Sequence, residues 1–215
     1  MAIILLSQPD NEYAVNQISA LSQNKHTPQV AYIASSPDPK RQFYQQTQAY
    51  YAAMDMQLNC YLELEDNFDV GMVKQLLEAD IIHLSGGDTF RFLYWLKQRH
   101  LLPALRAYAI QGGHIVGVSA GAMILSPSIM TAPLCGDINS IGLTDDTGLG
   151  LARLLYVPHI DLKNISVDLW DQITQIDSNI LLASDNSAVV IDNSQSHYFG
   201  EYQWSDSLKE GKLHG

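Results

Sequence analysis

Cysteine is scarce in this chain of 215 residues, which contains only Cys60 and Cys135. Two cysteines are too few for a disulfide framework, and no Cys/His spacing typical of a metal site occurs. We therefore expect a protein in a reducing compartment that needs no structural metal.

Positive charge is also scarce. The 12 Lys and Arg residues face 23 Asp and Glu residues, the formal net charge is −11, and no basic cluster occurs. Because phosphate backbones are bound through Lys and Arg, nucleic acid is excluded as an expected partner. An anionic membrane surface is disfavoured for the same reason.

Long apolar runs are missing as well. The opening MAIILLSQPDNEY has no basic segment before its short apolar run, which predicts a first strand and not a signal peptide. No stretch approaches the roughly 18 apolar residues of a spanning helix. We expect a cytoplasmic protein with one domain over residues 1–215, in which about 205–215 form a frayed tail.

What is present is an alternation of strand-like and helical stretches. Short apolar runs predict strands at Ala2–Leu6, Gln29–Ala34, Leu58–Leu64, Ile81–Leu84 and His114–Val118. Helical spacing follows at Asn11–Ser22, Asp38–Met56, Asp69–Glu78, Thr89–Gln98 and Leu101–Gln111. This α/β pattern predicts a mostly parallel sheet with helices on both faces and a ligand at the carboxyl ends of the strands.

The pattern changes after the fifth strand. Residues 126–149 are rich in Pro, Gly and Asp without periodicity, and so long an irregular segment is often functional. A strand is then predicted at Leu154–Val157 and a helix at Asn164–Ile176. Three strand-like runs close the chain, the last two forming a hairpin: Ile180–Ala183, Ala188–Asp192 and His197–Tyr202.

A nucleophile motif follows the fifth strand. Residues 117–121 read Gly-Val-Ser-Ala-Gly, which fits the G-x-S-x-G elbow that exposes a serine at a tight strand-to-helix turn. The N–H of Ala120 would face the same space as the Ser119 hydroxyl, and the upstream turn Ser85-Gly86-Gly87-Asp88 could supply a second N–H. The alternative is that Ser119 only caps a helix.

A serine nucleophile needs a general base, and the chain has seven histidines. Three have contexts typical of surface residues (His26, His100, His214), two lie in buried-type strands (His83, His114), and His197 lies in a terminal strand. His159 directly follows a predicted strand, where a site at the carboxyl ends requires a catalytic group. It is the predicted base.

The orienting acid stays open among the carboxylates near in sequence, Asp137, Asp145, Asp146 and Asp161. Asp161 is only two residues from His159, and so close a neighbour rarely reaches Nδ1. Asp137 is the first choice, because its irregular segment must pass over the site.

Three motifs in order resemble those of the dipeptidase E and cyanophycinase family of serine peptidases. They are Gly-Gly-Asp-Thr-Phe at 86–90, Gly-Val-Ser-Ala-Gly-Ala at 117–122, and Pro158-His159. The resemblance extends over about residues 1–200 and implies a fold similar to class I glutamine amidotransferases, with a three-layer, doubly wound, flavodoxin-like sheet. The family's order of serine, acid and histidine is matched by Ser119, Asp137 and His159.

The resemblance also implies a mechanism. Ser119 would attack an acyl carbon, His159 would act as base and then acid, and Asp137 would hold the imidazole tautomer, with no cofactor. The N–H groups of Ala120 and Gly87 would bind the oxyanion.

Family members act on short peptides with an N-terminal aspartate or on a polymer with an aspartate backbone, and this short chain favours a small peptide. Such a substrate calls for a cationic anchor, for which Arg91 and Arg153 are open candidates that could equally be solvated surface residues. The expected assembly is a monomer or homodimer.

Three other functions remain in view. An α/β-hydrolase-type esterase shares the elbow but places its histidine far downstream, where this chain offers His197 or His214. A glutamine amidotransferase uses a cysteine nucleophile, which is disfavoured because Cys135 lies in a predicted loop. A non-catalytic binding protein could retain the fold.

Overall fold

The apolar runs of the sequence form the strands of one sheet in the computed structural model, which describes residues 1–21, 27–193 and 195–206. His26 and His214, which were expected at the surface, lie outside the described residues. The strands are β1 (Ala2–Leu6), β2 (Gln29–Ile33), β3 (Gln57–Leu62), β4 (Ile81–Leu84), β5 (His114–Val118), β6 (Leu155–Val157), β7 (Ile180–Asp192) and β8 (Gln195–Trp204).

Helices connect most of these strands. They are α1 (Glu12–Ala20), α2 (Gln42–Ala52), α3 (Gly71–Glu78), α4 (Thr89–Gln98), α5 (Leu101–Ile110), α6 (Ala120–Leu125) and α7 (Val167–Gln175). Within the described segments, no helix has the length and apolar character needed to cross a membrane.

The sheet is mostly parallel, as predicted. Its strand order is β3-β2-β4-β5-β1-β7-β6, and the first five of these strands run parallel to one another. β7 runs antiparallel to β1 and parallel to β6, and β8 pairs antiparallel with β7. The chain moves outward from β1 to β2 and β3 and then returns through β4, which pairs with β2, and β5, as in a doubly wound fold. The predicted α/β class is confirmed.

Both faces of the sheet are buried. Along β1, Ile3 and Leu5 pack into one hydrophobic cluster, while Ile4 and Leu6 pack into the other. Side chains of α3 to α6 cover the first face, and those of α1 and α2 cover the second. This alternation explains why β1 is apolar at every position, since successive side chains point to opposite faces.

The end of the chain differs from the prediction in two ways. The runs Ile180–Ala183 and Ala188–Asp192 are parts of one strand, β7, with an irregularity in its pairing between Ala183 and Ser187. Ser205, expected in a frayed tail, is buried and accepts a hydrogen bond from the Ile180 N–H at 2.9 Å. The rest of the predicted tail, 207–215, lies outside the described residues.

The segment 126–149 is irregular, apart from a 3₁₀ turn at Ala132–Cys135 and a bridge between Ser128 and Thr147. Backbone hydrogen bonds from Leu149 to Ile124 (2.7 Å) and from Gly148 to Pro127 (2.9 Å) hold its two ends together. The segment is therefore a closed loop rooted beside α6.

Candidate active site

Ser119 occupies a strained turn between β5 and α6. Its φ of 51° and ψ of −110° are unusual for a residue with a side chain, and such strain is typical of functional turns. A Cβ on Gly117 would lie 2.5 Å from the Gly121 carbonyl oxygen, and a Cβ on Gly121 would collide with the carbonyl of Leu84. The two glycines of the motif are thus required because the turn packs tightly on itself and on β4.

His159 faces the serine. It follows β6 after Pro158, adopts a φ of 62°, and places Nε2 2.9 Å from the Ser119 Oγ. The buried Ser7 at the end of β1 accepts from the His159 N–H at 3.3 Å and donates to the Ala183 carbonyl at 3.3 Å. Ser7, which the sequence analysis did not single out, therefore ties the turn after β6 to β1 and β7.

The second ring nitrogen of His159 meets a carboxylate that was not predicted. Asp185 places Oδ1 2.5 Å from Nδ1, with the histidine side chain 35% exposed and the aspartate side chain 59% exposed. β1 pairs with residues 188–192 of β7 and β6 with residues 180–182, so the carboxyl ends of both strands meet at 183–187. Asp185 lies in this interruption, which local hydrogen bonds of the Ser184 and Ser187 hydroxyls stabilise.

Asp137, the first choice for the orienting acid, lies elsewhere. Its Oδ2 accepts from the backbone N–H of Thr89 at 3.1 Å, at the start of α4 and next to the turn that carries Gly87. The geometry therefore places Asp185, and not Asp137, at the histidine ring. Asp137 instead contacts the first turn of α4, beside the glycine turn.

The remaining acidic candidates also have other partners. Asp145 pairs with Lys97 at 2.6 Å, and that hydrogen bond lowers the pKa of the Asp145 carboxyl. The oxygens of Asp146 and Asp161 accept from Ser128 Oγ at 2.9 Å and from Asn164 Nδ2 at 2.8 Å. None of these three contacts involves the His159 ring.

The turn after β4 is fixed beside the nucleophile. Ser35 Oγ donates to the Gly86 carbonyl at 2.5 Å, and the Gly121 N–H donates to the Ser85 carbonyl at 3.1 Å. Because the chain has no cis peptide among the described residues, the Gly87 N–H points away from the Gly86 carbonyl and hence away from Ser35. Gly87 has a φ of 135° and a Cβ there would collide with Ser35, so glycine is required.

The two arginines considered as substrate anchors are not directed at the serine. Arg91 donates to both carboxylate oxygens of Glu65, at 2.6 and 2.7 Å, and this hydrogen bonding raises the pKa of its guanidinium. Arg153 is exposed and precedes β6 by two residues, at the opposite end of that strand from His159.

The other histidines and the cysteines have separate environments. His83 is buried and contacts the Tyr51 hydroxyl at 3.0 Å, while His197 lies on β8 opposite Val190. Burial raises the pKa of the Cys135 thiol to about 12. Across the described ranges, no three His, Cys, Asp or Glu side chains are grouped as metal ligands would be.

The chain is similar to known peptidases. The sequence model of peptidase family S51 matches residues 3–199. A peptidase E of Pasteurella multocida is 43% identical over 54 residues, which cover 25% of this chain and 23% of that protein. A peptidase E of Citrobacter koseri is 32% identical over 90 residues, covering 40% and 37%. The matched stretches thus span less than two fifths of either relative.

The fold is shared with a solved structure. A candidate peptidase E from Listeria monocytogenes EGD-e superposes with a TM-score of 0.77 at 21% identity, covering 93% of this chain and 98% of the other. At this identity the likeness concerns the fold alone. The match of the family model over residues 3–199 confirms the family that the sequence motifs predicted, and this chain belongs to peptidase family S51.

Proposed function

We propose that this protein hydrolyses short peptides through an acyl-enzyme, with Ser119 as nucleophile, His159 as general base and Asp185 as the orienting acid. One observation carries the proposal. The hydroxyl, imidazole and carboxylate form a continuous line of contacts, 2.9 Å from Oγ to Nε2 and 2.5 Å from Nδ1 to Oδ1.

The carboxylate sets the tautomer of the ring. An ionised Asp185 can only accept a hydrogen bond, so Nδ1 carries the proton and Nε2 is left as the acceptor facing Ser119. His159 takes the hydroxyl proton as Oγ bonds to the substrate carbonyl carbon, and then gives that proton to the leaving amine. Water repeats the sequence on the acyl-enzyme and releases the acid.

The oxyanion would be held by two backbone N–H groups, those of Gly87 and Ala120. The Gly87 N–H points away from Ser35, because it lies opposite the Gly86 carbonyl across a trans peptide and that carbonyl accepts from Ser35 Oγ. The second belongs to the residue after the nucleophile, at the start of α6. Each donor of this kind contributes about 3 kcal/mol to catalysis.

Asp137 has a positioning role in this proposal. By accepting from the Thr89 N–H, it holds the start of α4 and so the preceding glycine turn. A carboxylate at a helix N-terminus is also favoured by the helix dipole, and α4 has ten residues. The residue would therefore contribute to catalysis through the oxyanion turn and not through the imidazole.

The test is hydrolysis of a panel of dipeptides and aminoacyl p-nitroanilides, combined with labelling by a fluorophosphonate probe. Wild type and the control Ser178→Ala, which changes an exposed serine next to the amino end of β7, should be labelled and active. Ser119→Ala should be neither. Labelling or turnover that survives in Ser119→Ala would refute the proposal.

The esterase alternative is tested with the histidines. In our proposal His159→Ala abolishes peptide turnover, because His159 contacts the Ser119 hydroxyl. His197→Ala does not, because His197 lies on β8 opposite Val190 of β7. Turnover of simple esters but of no amide would favour the esterase. The cytoplasmic location and the monomer or homodimer remain predictions for cell fractionation and for sedimentation.

A further inference from the structure

A cavity of about 760 Å³ opens beside the nucleophile, on the face of the sheet that α1 and α2 cover. Its lining includes Val118, which directly precedes Ser119, and the glycine turn Ser85-Gly86-Gly87. A Cβ placed on Gly86 would lie 3.4 Å from the Ser119 Cβ. A substrate group in this cavity would therefore adjoin the carbonyl carbon that Ser119 attacks.

Aromatic rings line the cavity. Tyr32 and His83 come from neighbouring strands and stack at 5.3 Å, and Phe43 and Tyr50 come from α2. Phe43 is 65% exposed, so its ring is accessible to a ligand. The Tyr50 hydroxyl oxygen is buried and has no hydrogen-bond partner among the described residues. These rings offer broad faces for an elongated side chain.

The charges around the cavity are negative. Asp10 and Asp38 contribute to the lining, and among the described lining residues there is no Lys or Arg. Arg41, near Asp38 in sequence, places its guanidinium carbon 4.7 Å from the centre of the Tyr61 ring, and neither residue lines the cavity. Burial lowers the pKa of His83 to about 3, so this residue is uncharged at neutral pH.

We propose that this cavity binds the side chain of the substrate residue whose carbonyl Ser119 attacks, and that it selects a long basic side chain, lysine or arginine. The inference rests on the proposed peptidase function and names its substrate class. A basic side chain uses both features, since its stem and cation pack on aromatic faces while the carboxylates balance its charge. An aromatic side chain uses only the rings, and an aspartate side chain would be repelled.

The experiment compares kcat/KM for p-nitroanilides with a free amino group and a varied acyl residue. Arginine is matched with citrulline, its neutral analogue, and lysine with norleucine, while phenylalanine and aspartate complete the panel. Wild type should prefer arginine to citrulline by about tenfold, and the ratio should decrease with salt because the carboxylates are partly exposed.

Variants assign the preference to the cavity. Asp10→Asn should reduce the arginine-to-citrulline ratio by about fivefold, through the KM for the arginine substrate. Asp10 is the better of the two positions to change, because Asp38 also accepts from the Phe43 N–H at 2.9 Å near the start of α2. The matched control Asp177→Asn removes the same charge just before β7, at a residue that does not line the cavity, and should keep the wild-type ratio.

The outcomes separate the two proposals. If Ser119 reacts with the fluorophosphonate but arginine and lysine show no advantage over their neutral analogues, the cavity inference is overturned and the mechanism stands. A preference for aspartate or phenylalanine over arginine has the same consequence, as does an unchanged ratio in Asp10→Asn. If neither labelling nor turnover is seen, both proposals fall.

Discussion

The assignment of the orienting acid is tested most directly by two isosteric substitutions, Asp185→Asn and Asp137→Asn. In the first, the amide removes the negative charge 2.5 Å from His159 Nδ1. In the second, the amide oxygen can still accept from the Thr89 N–H, which the carboxylate now does at 3.1 Å. The two changes therefore differ in what they take from the site.

The magnitude follows from the exposure and geometry of Asp185. A charge-assisted hydrogen bond contributes about 1.5–3 kcal/mol, and the 59% exposure of this side chain places the contact near the lower end. At about 1.4 kcal/mol per factor of ten, this corresponds to roughly a tenfold loss. The tautomer of His159 is also no longer fixed, which brings the expected loss in kcat for Asp185→Asn to about 100-fold.

The assay is turnover of the best substrate in the panel, together with fluorophosphonate labelling and thermal unfolding of each variant. We expect Asp137→Asn to keep kcat within about threefold of wild type, since its hydrogen bond survives. Both variants should unfold near the wild-type temperature. A loss of about 100-fold in Asp137→Asn, with Asp185→Asn nearly unaffected, would refute the assignment and restore the acid predicted from the sequence.

Two stability predictions follow from the same structure. Gly121→Ala forces a methyl group against a backbone carbonyl of β4, and should cost about 2–3 kcal/mol and lower Tm by about 5–10 °C in a thermal melt. Gly71→Ala at the exposed start of α3 is its control, and equal losses would contradict the packing argument. His83, whose pKa rises from about 3 to about 6.5 on unfolding, should make the free energy of unfolding fall below pH 6.5, by up to about 1.4 kcal/mol per pH unit. In urea titrations at several pH values, the double variant His83→Phe/Tyr51→Phe should show a smaller change of unfolding free energy with pH, and the control His100→Asn should show the wild-type change. A wild-type pH dependence in the double variant would refute the role of His83.

The fold could be predicted because its central strands, such as β1 and β4, are continuous apolar runs. A run such as Ala2–Leu6 is buried on both faces, as expected of a strand in a sheet between two helical layers. The predicted break inside β7 was wrong, since Ser184–Ser187 reads as a turn by composition. The backbone continues there because β8 pairs with residues on both sides of the interruption.

Two thirds of the candidate triad could be named from the sequence, and the reason is local. Ser119 follows β5 and His159 follows β6 after Pro158, so each lies at the carboxyl end of a strand, where a catalytic group was expected. β6 runs antiparallel to β1 and β5, and the carboxyl ends of β1 and β6 meet because the two strands pair with different parts of β7. Asp185 left a weaker signal, a polar interruption after the apolar run Ile180–Ala183, and it was overlooked because nearer aspartates fitted the expected order.

The sequence by itself determined the α/β class, the glycines that permit the elbow, and the identities of the candidate nucleophile and base, Ser119 and His159. Those features depend on periodicity and on steric limits within a few residues. Only the tertiary structure decided which carboxylate reaches His159 and which charges surround the cavity beside Ser119. The first depends on how β7 pairs with β6 and β1, and the second on how the segments after β1, β2 and β4 come together around the cavity. No local pattern encodes either relation.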